Sequence, residues 1–244
     1  MAHRTRKKLT KTELKKDPVN EALLKGMSYF QEHVKQFIIA GVVIIVGVLV
    51  IQSLSSNAAR QANESRAQYF LASQLYDMAM DNMLRYGNVE AALSQLQTAQ
   101  QLARNNYRTY PGRLPGKRSA ILAAKIGIMF RMESEVITEL QDFIATDPGR
   151  ELENAASLHL AVALENRGGA SDIAAARDLY NSILLNSAED SHLAWEAYSG
   201  LSRIEYTMEN YQESLDYLHQ ALEISPDTTD YVEYQLTRLE VAMN

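Results

Sequence analysis

The chain has 244 residues, a length that suits one or two domains with a substantial apolar core. It contains no cysteine, which excludes disulfides, thiolate catalysis, iron–sulfur clusters and cysteine-ligated zinc. The formal net charge is −6, yet residues 1–36 carry nine Lys or Arg against four Asp or Glu, so the acidic excess lies in the later part of the chain. With 11 glycines and 5 prolines the chain has few helix breakers, which favours a mostly helical fold.

Residues 1–36 form a basic segment that we interpret as a cytoplasmic tail. Thr10 and Glu13 have the spacing of a helical capping box, and apolar residues recur every three or four positions from Val19 to Phe37. This pattern predicts an amphipathic helix that leads into the next segment. Two interpretations are open: the helix lies on anionic lipid headgroups, or it docks on a cytoplasmic partner. The basic run is short and lacks interleaved aromatic residues, so we expect no nucleic acid as a partner.

The most apolar stretch of the chain follows, because residues 37–51 contain no polar side chain. A bilayer core is crossed by a helix of about 20 residues, so we predict a single transmembrane helix over residues 37–54. Two alternatives are open: a buried core helix, and a signal peptide cleaved near Ser56, Asn57 and Ala58. The uncleaved anchor is favoured because the basic segment before it is about 36 residues long and has a helical pattern of its own.

The charge distribution predicts the orientation of this span. Basic residues concentrate before it, which places the N-terminus in the cytoplasm and residues 55–244 on the other side of the lipid bilayer. In a bacterium this corresponds to a single-pass protein of the inner membrane with a periplasmic C-terminal domain.

Residues 55–244 are predicted to form one all-α domain, because every periodic segment is of the helical type and no hairpin signal occurs. Glycine and proline clusters separate the helices. The predicted helices cover 56–86, a second to 109, 117–131, a fourth to 147, a fifth to 167, a sixth to 186, 191–208, an eighth to 225, and 231–243.

One unit, residues 195–226, resembles a tetratricopeptide repeat, a pair of helices with small residues at their contact. The matching residues are Tyr198, Leu201, Ser202, Tyr211, Ser214, Leu218, Ala221 and Pro226. Glu205 departs from the pattern, since an aromatic residue is expected there. The other units match only in part. The resemblance implies an α-solenoid of about four helix pairs after the membrane helix.

No residue pattern indicates catalysis, a cofactor or a metal. The five histidines lack the spacing of metal ligands on one helix, and residues 112–118 fail the phosphate-loop pattern because only three residues separate the glycines. We therefore expect a protein that is not an enzyme.

A basic cluster stands out in the acidic domain: it is either a set of solvated cations near a helix end or a patch for an acidic partner or lipid headgroups. Its members are Arg104, Arg108, Arg113, Lys117 and Arg118.

The order of a basic tail, one span and an acidic repeat domain resembles that of the YfgM family of bacterial inner-membrane proteins. The resemblance implies a non-enzymatic accessory of the SecYEG translocon that works with the membrane-anchored chaperone PpiD. A concave face built from the first helix of each pair would bind the partner. Candidate contact residues are Tyr76, Met83, Ile126, Trp195 and Tyr198. The alternative is a structural scaffold subunit of a larger inner-membrane complex.

Overall fold

The structure, a computed structural model, describes residues 33–186, 191–224 and 229–243. Within these ranges every regular element is a helix, which confirms the predicted all-α class. The helices of these ranges are α1 (Val34–Leu84), α2 (Val89–Thr109), α3 (Leu114–Met129), α4 (Glu133–Ile144), α5 (Arg150–Arg167), α6 (Ala170–Asn186), α7 (Ser191–Thr207), α8 (Tyr211–Ile224) and α9 (Thr229–Met243).

The chain divides into two compact units, residues 1–60 and residues 61–244. The predicted tail over residues 1–36 falls almost wholly outside the described residues. The backbone of residues 37–54 is helical, but most of its side chains also lie outside them. Among the residues that are described, no helix is both long and apolar enough to cross a membrane. The transmembrane helix over residues 37–54 therefore stays a prediction.

The second unit is a succession of packed helices. Each helix from α2 to α8 packs on the next one in the chain, and α3 also packs on α5, as α5 does on α7. Contacts between neighbours and next-but-one neighbours are typical of stacked helix pairs. The later pairs are α3 with α4, α5 with α6 and α7 with α8, and α9 packs on α8. The end of α1 joins α2 through a shared apolar cluster and a hydrogen bond of 2.8 Å from Asn82 to Gln95.

Two turns show how the sequence fixes the helix ends. Gly87 adopts a φ of 64° between α1 and α2, where only glycine avoids strain, and the Asn88 side chain then accepts a hydrogen bond from the N–H of Ala91 at 3.2 Å to cap α2. Helix α3 begins at Leu114, three residues before the predicted start. Pro115 lies in its first turn, where the missing N–H has no helical acceptor, so proline is tolerated there.

Small residues allow the helices to approach closely. Ala72, Ala79, Ala92, Ala99 and Ala103 are fully buried where α1, α2 and α3 meet. A larger cluster joins α3 to α7, and its fully buried large side chains include Leu140, Phe143, Tyr180, Leu201 and Ile204. The helices of the second unit thus bury apolar side chains in successive clusters along the stack.

The residues of the repeat motif lie where α7 and α8 touch. Leu201, Ser202, Ser214, Leu218 and Ala221 are all buried. The hydroxyls of Ser202 and Ser214 are 3.1 Å apart, and Ser214 also donates to the Ser202 carbonyl oxygen at 2.8 Å. Their small size lets the helices pack, as the motif predicts. Pro226 lies outside the described residues.

The departure at Glu205 is compensated by polar partners. This buried carboxylate pairs with the Arg177 guanidinium at 2.7 Å and accepts a hydrogen bond from Asn210 Nδ2 at 2.8 Å. A charge at a core position is tolerated only when it is paired in this way.

Candidate partner-binding site

The first helices of successive pairs share one face in the second unit. On this face the Lys125 ammonium of α3 lies 4.9 Å from the centre of the Tyr76 ring of α1, a cation–π contact. Lys125 is exposed and has no ion pair within the described part of the chain. Its charge is therefore available to a partner.

Beyond Lys125 the same face opens into a cavity of about 190 Å³ between α3, α5 and α7. Apolar side chains form part of its wall, and ionisable groups of the three helices line the rest. The lining residues are Lys125, Ala155, Leu158, His159, Val162, His192, Leu193 and Glu196. The cavity thus offers hydrogen-bonding groups of both kinds beside apolar surface, a composition common in ligand sites.

His159 is the half-buried group at the centre of this cavity. Burial is the main cause that lowers its pKa to about 4, and the nearby Lys125 and His192 add to the effect. The imidazole is therefore neutral at neutral pH, and a neutral imidazole can donate one hydrogen bond and accept another. It suits the amide groups of a peptide backbone.

The residues of this cavity were not predicted from the sequence, although a signal was present. Lys125 and His159 are 34 positions apart, and His159 and His192 are 33 apart. This separation is the length of one tetratricopeptide helix pair, so a residue recurs on the same face of the next pair. A search at the repeat length would have found the three residues, whereas a search for ligands on one helix could not.

The structure distributes the five predicted contact residues between face and core. Tyr76 lies on the face described above, and Met83 is half-buried against the α1–α2–α3 core. Ile126 is fully buried in that core, so it stabilises the fold and offers no surface to a partner. Trp195 and Tyr198 are half-buried on α7, and the Tyr198 ring lies 6.3 Å from that of Tyr217.

The predicted basic cluster is spread over separate contacts. Arg113 donates to Gln61 Oε1 at 3.3 Å, and Lys117 donates to the carbonyl oxygen of Pro148 at 3.3 Å. Arg118 pairs with Glu151 at 3.7 Å. These three cations therefore link α3 and the preceding loop to neighbouring elements.

Arg104 and Arg108 lie together on α2. Arg104 contacts the carboxylates of Glu135 and Glu139 on α4, both at 3.3 Å. Arg108 is exposed and has no ion pair among the described residues. Of this cluster, Arg108 is thus the cation most open to a partner.

The described residues contain no group of three His, Asp or Glu side chains that could hold a metal ion. No protein-family model and no curated protein matches the sequence. The second unit presents a face of mixed apolar and polar side chains around the cavity of α3, α5 and α7.

Proposed function

We propose that this chain is a non-enzymatic, membrane-anchored protein-interaction module, accessory to protein translocation or to periplasmic chaperoning. Residues 37–54 anchor it in the bacterial inner membrane, the N-terminus lies in the cytoplasm, and the helical unit lies in the periplasm. Its partners are proteins, namely a translocon similar to SecYEG, a chaperone similar to PpiD, and the segments that they handle.

The observation that carries the proposal is the face shared by α1, α3, α5 and α7. It brings together Tyr76, the exposed ammonium of Lys125 and the cavity around His159 and His192. Apolar wall, aromatic ring and hydrogen-bonding groups in one groove favour an extended or helical peptide of relaxed sequence. A tetratricopeptide-like stack presents such a groove as a continuous surface.

The anchor supports the accessory role by mass action. A module tethered to the membrane meets partners of the same membrane at a high effective concentration, so weak contacts suffice. The basic residues before residue 37 favour retention of the N-terminus in the cytoplasm. The resemblance to the YfgM family points to the translocon as the membrane partner.

A scaffold subunit of a larger inner-membrane complex is the second candidate, and exposed apolar side chains favour it. Phe70 on α1 is 67% exposed, and Leu84 and Tyr86 at the end of this helix are 75% and 74% exposed. A contiguous exposed apolar patch marks a contact surface on many proteins, and the scaffold role requires that these side chains belong to one. A permanent partner would cover them, whereas a transient one would leave them in water.

In-cell crosslinking from photoreactive residues tests the proposal. Positions 76, 125 and 192 report on the shared face, and position 213 on the exposed side of α8 is the matched control. Capture of translocon subunits and many secretory proteins from the face, but not from position 213, supports the accessory role. Capture of one abundant complex at fixed positions supports the scaffold instead. Equal capture from the face and from position 213 would overturn the accessory role.

A further inference from the structure

A second cavity lies at the junction of α2, α3 and α4, on the other side of α3 from Lys125. Its volume is about 170 Å³, and Ala120, Ala123 and Leu140 form an apolar floor. Ala123 and Lys125 are two positions apart on one helix, which places their side chains on opposite faces. Because a cavity of about 150 Å³ accommodates benzene, this one has room for a single aliphatic side chain.

The walls of this cavity carry opposite charges. Helix α2 contributes Arg104 and Arg108, and α4 contributes Glu139 and Asp142. Arg104 is already neutralised by its contact with Glu139 at 3.3 Å. The open charges are therefore the guanidinium of Arg108 on one wall and the carboxylate of Asp142 on the other.

Tyr107 joins the two walls beside the cavity. Its ring meets that of Phe143 edge-on, with centres 5.6 Å apart, so α2 and α4 are fixed at this point. Burial, with a contribution from Asp142, raises the pKa of the Tyr107 hydroxyl, which stays protonated and can donate a hydrogen bond.

A shallow depression of about 370 Å³ continues from the cavity along α2. Two rows of residues at a spacing of four line it: Gln97, Gln101 and Asn105 in one row, and Gln100, Arg104 and Arg108 in the other. The side chains of Gln97, Gln101 and Asn105 have no hydrogen-bond partner among the described residues. Free carboxamides both donate and accept, as an extended peptide backbone does.

We propose that the cavity and this depression bind an extended segment of a partner protein in which an aliphatic residue stands next to an acidic one. The aliphatic side chain fills the apolar floor, the carboxylate pairs with Arg108, and the carboxamides of α2 bind the backbone. Asp142 repels an acid on the α4 side and so fixes the direction of the segment. A planar guanidinium binds a carboxylate through two parallel hydrogen bonds, which makes the pairing specific.

The test uses the full chain in detergent micelles and three fluorescein-labelled peptides with blocked ends. The first has the sequence Ser-Gly-Asp-Leu-Ser-Gly-Ser, the second has Lys in place of Asp, and the third has Ser in place of Leu. Fluorescence anisotropy should show binding of the first peptide at least about tenfold tighter than of the other two, since each of these loses one anchor.

Two variants locate the binding. Arg108→Glu should reverse the preference in favour of the Lys peptide, and because Arg108 is exposed, the variant should keep its fold. Ala120→Leu should fill the cavity and remove the advantage of leucine over serine. Circular dichroism checks the fold of both.

Lys125→Glu is the matched control on the other face of α3. Unchanged peptide affinity in this variant separates the second cavity from the face used in the proposed function, so one proposal can fail without the other. Equal affinity for the three peptides, no binding of any, or an equal loss in Lys125→Glu overturns the inference. Displacement of the peptide by phosphatidylglycerol added to the micelles, in an Arg108-dependent manner, would assign the site to lipid headgroups and also overturn it.

Discussion

Glu165 on α5 accepts hydrogen bonds of 2.7 and 2.9 Å from Arg203 on α7, one on each carboxylate oxygen. The fully buried Tyr180 of α6 donates its hydroxyl to the same carboxylate at 2.8 Å. Burial and the adjacent carboxylate raise the pKa of Tyr180, so it remains a donor. One carboxylate therefore joins three helices of two successive pairs.

Glu165→Gln should destabilise the second unit by about 2 kcal/mol, because the amide removes the negative charge that accepts the hydrogen bonds of Arg203 and Tyr180 in a partly buried position. Urea unfolding followed by circular dichroism measures the loss. Glu213→Gln, at an exposed position of α8, is the control and should change the free energy of unfolding by less than about 0.5 kcal/mol. Equal effects of the two substitutions would contradict a structural role of the Glu165 network.

Gly200→Ala should be destabilising for a steric reason. An added Cβ at Gly200 would lie 2.3 Å from Cζ of the Tyr180 ring, far inside a van der Waals contact, and this ring is packed on all sides. We expect a loss of about 2 kcal/mol, as for overpacking of other cores.

Gly112→Ala is the matched control, because an added Cβ there meets nothing within 4 Å. This variant should be neutral or slightly stabilising, since alanine restricts the unfolded chain. Thermal unfolding measures the midpoint temperatures of Gly200→Ala and Gly112→Ala. Similar midpoints would show that α6 and α7 can move apart with little loss of stability.

The helices were predictable because glycine, proline and capping residues divide the sequence at almost every true boundary. The start of α3 was not predicted correctly, because Pro115 belongs to a stretch rich in turn residues. Only the structure shows that Pro115 lies in the first turn of the helix. The prediction of Ile126 as a contact residue was wrong for a different reason. Apolar and small residues occur around most of α3, so periodicity alone does not tell which side faces the core.

The sequence carries the repeat spacing of the candidate-site residues but does not show that they form a cavity. Lys125, His159 and His192 belong to three different helices, and only the stacking of the pairs brings them to one cavity. The buried ion pair of Glu205 with Arg177 was unpredictable for the same reason. The departure from the repeat pattern is visible in the sequence, but its compensation by a residue on α6 depends on tertiary contact.

His159 predicts a pH dependence of stability. Its pKa is about 4 in the folded state and near 6.5 in the unfolded chain, so the unfolded state binds more protons between these values. The contribution of His159 to stability is then complete above about pH 6.5 and is lost as the pH falls toward 4. The loss is at most about 3.5 kcal/mol, because each tenfold difference in proton affinity between the folded and unfolded states corresponds to about 1.4 kcal/mol.

Urea unfolding at pH 7.5 and pH 5 should show that His159→Gln weakens this acid sensitivity. His219→Gln, on the exposed side of α8, should retain the acid sensitivity of the unsubstituted chain. Lys125, His192 and Glu196 also face the cavity and are present in both variants, so the difference between the variants reports on His159 alone. An identical pH dependence in the two variants would exclude His159 as the titrating group.

The anchor makes a prediction that is independent of the helical unit. Ile44→Lys combined with Val48→Lys should release the protein from the membrane fraction, because each lysine costs about 3 kcal/mol at the centre of a membrane helix. Gln52→Lys is the matched control: near the end of the span, a lysine can extend to the interface, so the protein should stay membrane-bound. Alkaline carbonate extraction separates the two outcomes.

Epitope tags at the two ends, combined with protease treatment of spheroplasts, complete the anchor test. An uncleaved anchor predicts that the N-terminal tag is protected, that the C-terminal tag is digested, and that both tags occur in one full-length band before digestion. Loss of the N-terminal tag from the mature protein would identify a cleaved signal peptide. Recovery of the unsubstituted chain in the carbonate supernatant would make residues 37–54 a part of a soluble core, and the proposal of a membrane-anchored module would fail.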